Sequence, residues 1–264
     1  MRGTIASLWR HPVKGLSPEP LDAVELEAGA YFPNDRVFAV EVGPSGFDPE
    51  HPRHISKFRF TVLARFPELA RLKTRLDDEA GRMFIGDASG FGVDIPFRQP
   101  ESRAALARYL QAFLGAEADA PLRVVEGPSR QPTPRDRAHH FMDNTQDGFV
   151  SAINLASIRA IEEAIGQAVD PLRFRANLYY DAGEAFIEDD LQRGDLIAAG
   201  SARLQAMKAI TRCIATHANP ETGVRDIDML GALQSHFGRV TLGDYFAVER
   251  GGRTACGDAF GNAA

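Results

Sequence analysis

Cysteine is nearly absent from this chain of 264 residues: Cys213 and Cys256 are its only two. Two thiols make no disulfide framework, so a reducing compartment is expected. An excess of positive charge is also missing. The 30 Lys and Arg are outnumbered by 36 Asp and Glu, for a formal charge of −6. That excludes the basic footprint of bulk nucleic-acid binding, and any anion site must be a local cluster of cations. No apolar run approaches the length of a membrane span. The N-terminal stretch, with Arg2, Arg10, His11 and Lys14 interspersed, lacks the apolar core of a signal peptide. A cytoplasmic protein with no membrane or nucleic-acid partner is expected.

Several catalytic signatures are missing too. There is no G-x-G-x-x-G after a strand, no Walker loop and no G-x-S-x-G. The 7 histidines include the adjacent His139 and His140, which diverge in any regular element. No three converge as catalytic zinc requires. Glu188-Asp189-Asp190 could hold an acid–base pair, but such a run suits a solvated turn or a helix start better.

What is present is β-rich at first. Thr4 to Trp9 alternates at period two, Val24 to Glu27 does so again, and Arg36 to Val42 is β-branched and aromatic. Thr74 to Leu76 and Arg82 to Ile85 read as a hairpin. Leu106, Tyr109, Leu110, Phe113 and Leu114 share one helical face, with Ser102 as the expected cap and Gly115 as the stop. Residues 126–147, rich in proline and charge, read as an exposed connector or lid. Past it come a strand to Ile153, a helix capped by Asn154 and ended by Gly166, and a strand from Asn177 to Tyr180. Ala202 to Met207 forms another strand, Ile227 to Phe237 a short helix, and Tyr245 to Val248 with the Gly251-Gly252 turn a closing hairpin. The fold class is α+β and β-rich, with a boundary near residue 120.

The stretch around Cys213 carries the most chemistry. Arg212 precedes the thiol and Lys208 lies upstream, and fixed positive charge favours the thiolate that attacks electrophiles or ligates soft metals. The plain alternative is a small buried residue of a strand. Cys256 has only Arg253 near it and reads as structural. Lys14-Gly15 sits at a bend, where glycine admits a ligand to the backbone and lysine suits a phosphate. Arg36 and Arg175 each stand at the start of a strand, and either could be a solvated surface group.

Together these segments resemble the MOSC-domain proteins, with a MOSC N-terminal β-barrel domain in front. In the front half the resemblance is carried by Ser7-Leu8-Trp9-Arg10-His11-Pro12-Val13-Lys14-Gly15-Leu16, by Asn34-Asp35-Arg36-Val37-Phe38-Ala39-Val40 and by Ile55-Ser56-Lys57. In the back half it is carried by Ser151-Ala152-Ile153-Asn154-Leu155-Ala156-Ser157 and Asp170-Pro171-Leu172-Arg173-Phe174-Arg175-Ala176-Asn177-Leu178. Thr211-Arg212-Cys213-Ile214-Ala215-Thr216 with Asn219-Pro220-Glu221-Thr222-Gly223-Val224-Arg225-Asp226 is the strongest match.

The resemblance implies a β-barrel-like domain over residues 1–119 and a MOSC β-barrel domain with peripheral helices over 120–264. It implies a molybdenum–molybdopterin site between them, with Cys213 as catalytic residue and metal ligand. Lys14, Gly15, Arg36, Ser56, Lys57, Arg175, Asn177 and Arg212 match cofactor-binding positions, and Ser157 and Tyr245 match looser ones. The implied activity is reduction of a small N-hydroxylated or N-oxygenated substrate. No cysteine-rich segment for an iron–sulfur cluster is present, so a separate flavin or iron–sulfur reductase is expected to supply electrons. Ala176, Leu191, His217 and Cys256 depart from the family pattern and bear on substrate choice. Two other readings stand beside this one. The first is sulfur transfer through a Cys213 persulfide. The second is a non-catalytic module binding the cofactor or another phosphorylated ligand such as pyridoxal phosphate.

Overall fold

The structure is a computed structural model that describes residues 1–48, 55–127 and 150–262. Strand β1 (Arg2–Arg10) buries Ile5 and Leu8 in one core, which strict alternation would place on opposite faces; a register shift between Ile5 and Ser7 brings them together. Its neighbours are both far along the chain. β10 (Leu178–Asp181) pairs with one edge and β15 (Ala259–Asn262) with the other. From β10 the sheet continues through β9 (Val150–Asn154), β13 (Thr241–Arg250), β12 (Ala202–Thr211) and β11 (Leu196–Ala199) back to β15, closing a 7-strand barrel. Ile5, Leu8, Val150, Leu178, Tyr180, Leu204, Phe246 and Phe260 fill its interior.

β9 and β10 run parallel, so the chain must cross over between them. Helix α2 (Leu155–Ile165) makes that crossover. Asn154 caps it by accepting the Ala156 N–H, and Gly166 ends it in left-handed backbone at φ 65°, both as the sequence predicts. Helix α3 (Met229–Phe237) packs beside α2 over Ile158, Ile161 and Leu233.

The first unit is built from β4 (Phe38–Val42) paired with β8 (Leu122–Glu126), and from a meander of β5 (Lys73–Asp77), β6 (Arg82–Gly86) and β7 (Gly92–Pro96). Helix α1 (Arg103–Leu114) covers them with Leu106 and Leu110 fully buried. Strand pairing crosses residue 120 in several places. β8 lies past it yet pairs with β4, and β1 lies before it yet belongs to the barrel. Among the described residues no helix is long and apolar enough to cross a membrane.

Four expectations are corrected. Ser102 is helical, and its Oγ donates to the Pro96 and Gln99 carbonyls instead of capping α1. β4 begins at Phe38 because Arg36 sits at φ 51°, outside strand geometry. The Gly251-Gly252 stretch does not close a hairpin on β13. It passes the chain to β14 (Gly252–Ala255), which pairs with β3 (Ala23–Leu26), while β2 (Glu19–Leu21) lies against β1. Cys213 is not in a strand, since β12 stops at Thr211. The connector at 126–147 falls almost wholly outside the described residues.

Candidate functional site

A cleft opens between the two units, lined by Lys14, Gly15, Arg36, Lys57, Arg175 and Cys213, with Arg212 and Tyr245. It holds about 120 Å³ of space for water. A single bound water needs only ~10–15 Å³, so this is room for a ligand.

Lys14 and Gly15 follow β1 at a bend where the Lys14 N–H donates to the Phe38 carbonyl at 2.8 Å. Gly15 has φ 85°, and a Cβ there would sit 2.1 Å from the Thr61 carbonyl oxygen. Only glycine fits, which brings bare backbone to the cleft. Lys14 itself is 7% exposed, an unusually buried ammonium.

Arg36 and Arg175 share an uncommon feature. Among the described residues only Asn34, Arg36, Arg175 and Phe186 combine a side chain with positive φ, and two of the four are cleft arginines. Such backbone costs roughly 1–3 kcal/mol per residue and persists where the surroundings enforce it. Here they do. The Arg36 N–H donates to the His11 carbonyl at 2.6 Å, its guanidinium reaches the Arg175 carbonyl at 2.8 Å, and Asp35 pairs with it. Asp35 is itself fixed by the His11 N–H at 2.7 Å. Burial alone would raise the Asp35 pKa, but Arg36 and His11 outweigh it and hold the carboxylate ionised. His11 is fully buried beneath this pair. Burial first, then Arg36 and Arg175, push its pKa down to about 3, so it is neutral.

Cys213 caps the 3-10 turn Ile214–His217, its carbonyl accepting the Thr216 N–H at 3.0 Å and hydroxyl at 2.9 Å. The thiol is half-buried at the cleft wall. Arg212, beside the thiol in sequence, gives its hydrogen bonds to backbone carbonyls. Its Nε donates to the Leu242 carbonyl at 2.9 Å and its Nη1 to the Phe174 carbonyl at 3.0 Å, tying β13 to the arginine loop. Burial pushes the Arg212 pKa down.

Three sequence candidates lie apart from the cleft lining. Ser56 is exposed and precedes the 3-10 turn Lys57–Arg59. Ser157 donates to Glu188 Oε1 at 2.8 Å and accepts the Phe186 N–H at 2.8 Å. Asn177 accepts the Ser151 hydroxyl at 2.9 Å and donates to the Trp9 carbonyl at 3.3 Å, joining β1 to β9. Cys256 is exposed on the turn after β14. Sequence reading missed Ser151, Arg173 and Thr211, which line the cleft. All three stand inside the quoted motifs, beside residues whose charge or thiol drew attention first.

The family profile "MOSC domain" matches residues 136–260, and "MOSC N-terminal beta barrel domain" matches residues 2–119. The chain is 25% identical over 287 residues to "Mitochondrial amidoxime-reducing component 1" of Xenopus laevis, covering 97% of this chain and 81% of that protein. It is likewise 25% identical over 288 residues to the Homo sapiens protein of that name, covering 97% and 82%. Among solved structures, the YUAD protein from Bacillus subtilis covers 98% of this chain and 94% of that one. At 13% identity and a TM-score of 0.46 that likeness is too loose to add to the argument. With both parts of the chain matched and in this order, the chain belongs to the MOSC-domain proteins.

Proposed function

We infer that the protein is a molybdenum-cofactor-binding oxidoreductase that reduces N-hydroxylated or N-oxygenated compounds, with Cys213 as the metal's thiolate ligand. The observation that carries this reading is the convergence of Cys213 with Lys14, Arg36 and Arg175 on one cleft. Among the described residues no three His, Cys, Asp or Glu side chains stand together to hold a metal ion. A bare metal would need such a set. A metal already held by a phosphorylated organic group needs only one further soft ligand and a cationic seat for its anionic end. This donor set fits that group.

When bound, such a cofactor supplies the two-electron redox chemistry, and the protein supplies orientation and electrostatics. Lys14 offers a point charge for an anion, Arg36 and Arg175 add guanidinium charge, and Gly15 lets the backbone approach. The half-buried Cys213 lines the same cleft and would supply the metal's thiolate, with substrate entering from the cleft's open side. The names of the amidoxime-reducing relatives support an N-oxygenated substrate class. Electrons come from a separate flavin or iron–sulfur protein.

The test is molybdenum and pterin content of protein made in a cofactor-competent host. Wild type should carry both, and Cys213→Ser should lose most of the metal. Metal-free wild type, or a serine variant with full molybdenum, rejects the reading. A half-buried thiol on an open cleft also suits a persulfide carrier. Mass spectrometry of Cys213 after exposure to a cysteine desulfurase separates the two, since a carrier gains one sulfur.

A further inference from the structure

The loop that follows Cys213 is held by a side chain from outside it. Arg173 belongs to the 3-10 turn Pro171–Phe174, just before the cleft arginine Arg175. Its Nη1 donates to the His217 carbonyl at 2.9 Å, at the end of the turn that Cys213 caps. Its Nη2 donates to Asp226 Oδ1 at 2.6 Å, at the far end of the loop. One guanidinium therefore pins both ends of residues 217–226, directly after the turn that Cys213 caps.

Each partner is itself fixed. The other Asp226 oxygen accepts Asn219 Nδ2 at 2.8 Å, while Asn219 Oδ1 accepts the Glu221 and Thr222 N–H groups at 2.9 and 3.1 Å. An antiparallel bridge between Ala218 and Arg225 closes this small hairpin. On the other side, Asp170 accepts the Leu172 N–H at 2.8 Å, and Tyr179 Oη donates to the Pro171 carbonyl at 2.7 Å. The turn carrying Arg173 is rigid, and so is the loop it grips.

The arrangement is costly for mere packing. The Arg173 side chain is 2% exposed, and its buried Nε has no hydrogen-bond partner among the described residues. Desolvating a guanidinium costs several kcal/mol, and an apolar residue of similar volume fills such a site with less penalty. What an apolar residue cannot do is bridge two acceptors with one planar fork. The Asp226 carboxylate, despite an opposing push from burial, is kept ionised by Asn219 and Arg173.

We propose that Arg173, anchored by Asp226, is a positioning residue that holds the Cys213 turn against the cleft between the two arginine-bearing segments. The function of that placement rests on the reading of Cys213 as metal ligand, but the brace can be measured without metal. Iodoacetamide alkylation of the two thiols in cofactor-free, full-length protein, followed by peptide mass spectrometry, gives a rate for each. Exposed Cys256, on a distant turn, is the internal control.

Asp226 is the partly exposed end of the pair, so Asp226→Ala removes the anchor without hollowing the core. Arg173→Lys keeps the charge and loses the fork. Both should raise the Cys213 rate roughly tenfold, the ratio that ~1.4 kcal/mol of lost bracing corresponds to, with Cys256 unchanged. Asp226→Glu should restore much of the protection. A Cys213 rate that stays at the wild-type value in both variants, or rises in step with Cys256, overturns the proposal. Molybdenum content of the same variants, made with cofactor, should fall in parallel. Metal-free wild type together with a selective Cys213 response rejects the cofactor reading and leaves the brace standing.

Discussion

Arg36 and Arg175 hold left-handed backbone that arginine avoids, at φ 51° and 56°; the Arg36 N–H is held by the His11 carbonyl, and the Arg175 carbonyl accepts the Arg36 guanidinium. Gly15, also in the cleft lining, holds φ 85°, and a Cβ there would run into the Thr61 carbonyl. The Gly15→Ala variant tests how much the site depends on this contact. It should lose roughly 1–3 kcal/mol of stability, seen as a lower melting temperature, and should bind cofactor more weakly. Unchanged melting would show that the Thr61 carbonyl can move away freely. Charge and glycine at a bend made Lys14, Gly15, Arg36 and Arg175 legible in the sequence. Positive φ at the arginines was not, because it is imposed by partners distant in the chain. Nor could the sequence show that Ser157 and Asn177 direct their polar atoms to Glu188 and Ser151 within the fold. The same holds for Arg212, whose neighbour in sequence is the thiol but whose partners in space are carbonyls.

Elements with local signals were readable. The strand-cap-helix pattern around Asn154 is the clearest case, since hydroxyl or amide caps and a glycine stop act within one turn of the helix. Asn154 does more than cap. It is fully buried, accepts the Ala156 and Ala182 N–H groups, and donates to the Glu184 carbonyl at 2.7 Å and to Glu188 at 3.2 Å. Asn154→Ala should therefore cost about 2–3 kcal/mol, beyond the ~1 kcal/mol of an ordinary cap, because buried partners lose their bonds as well. Denaturant unfolding measures this, and a loss no greater than that of an ordinary cap would show that the partners find other bonds. The partner of β14 was not readable. A Gly-Gly turn fits a hairpin equally well, yet β14 pairs instead with β3, from the other end of the chain. Pairing between segments so far apart leaves no local trace.

Across the whole molecule, two buried groups set opposing slopes of stability against pH. The His11 pKa, about 3 in the folded state, lies below its unfolded value of about 6.5. Its contribution is present above pH ~6.5 and is lost as pH falls toward 3. Asp244 on β13 has its pKa raised to about 7 by burial and by Glu188 and Asp189. Its contribution is full below an unfolded value near 3.8 and is lost as pH rises to 7. Between pH ~4 and ~6.5 the two changes oppose each other, so the wild-type melting temperature should vary less there than if either group titrated alone. Asp244→Asn removes one slope, and its melting temperature should fall steadily as pH drops from 6.5 to 4. A variant profile as flat as that of wild type would contradict the assignment. The closed barrel has a different consequence, in time. Arg2 pairs with Gly261, and Thr4 with Asp181 and Ala259. During synthesis β1 emerges long before β10 and β15, and until they follow only its short pairing with β2 at Leu8 to Arg10 is available. Loop-closure entropy makes such pairings slow, and the waiting strand is open to wrong partners. The barrel cannot close until β15 has been made, since β15 joins β1 to β11, and the cleft lies where β1 hands the chain to the first unit.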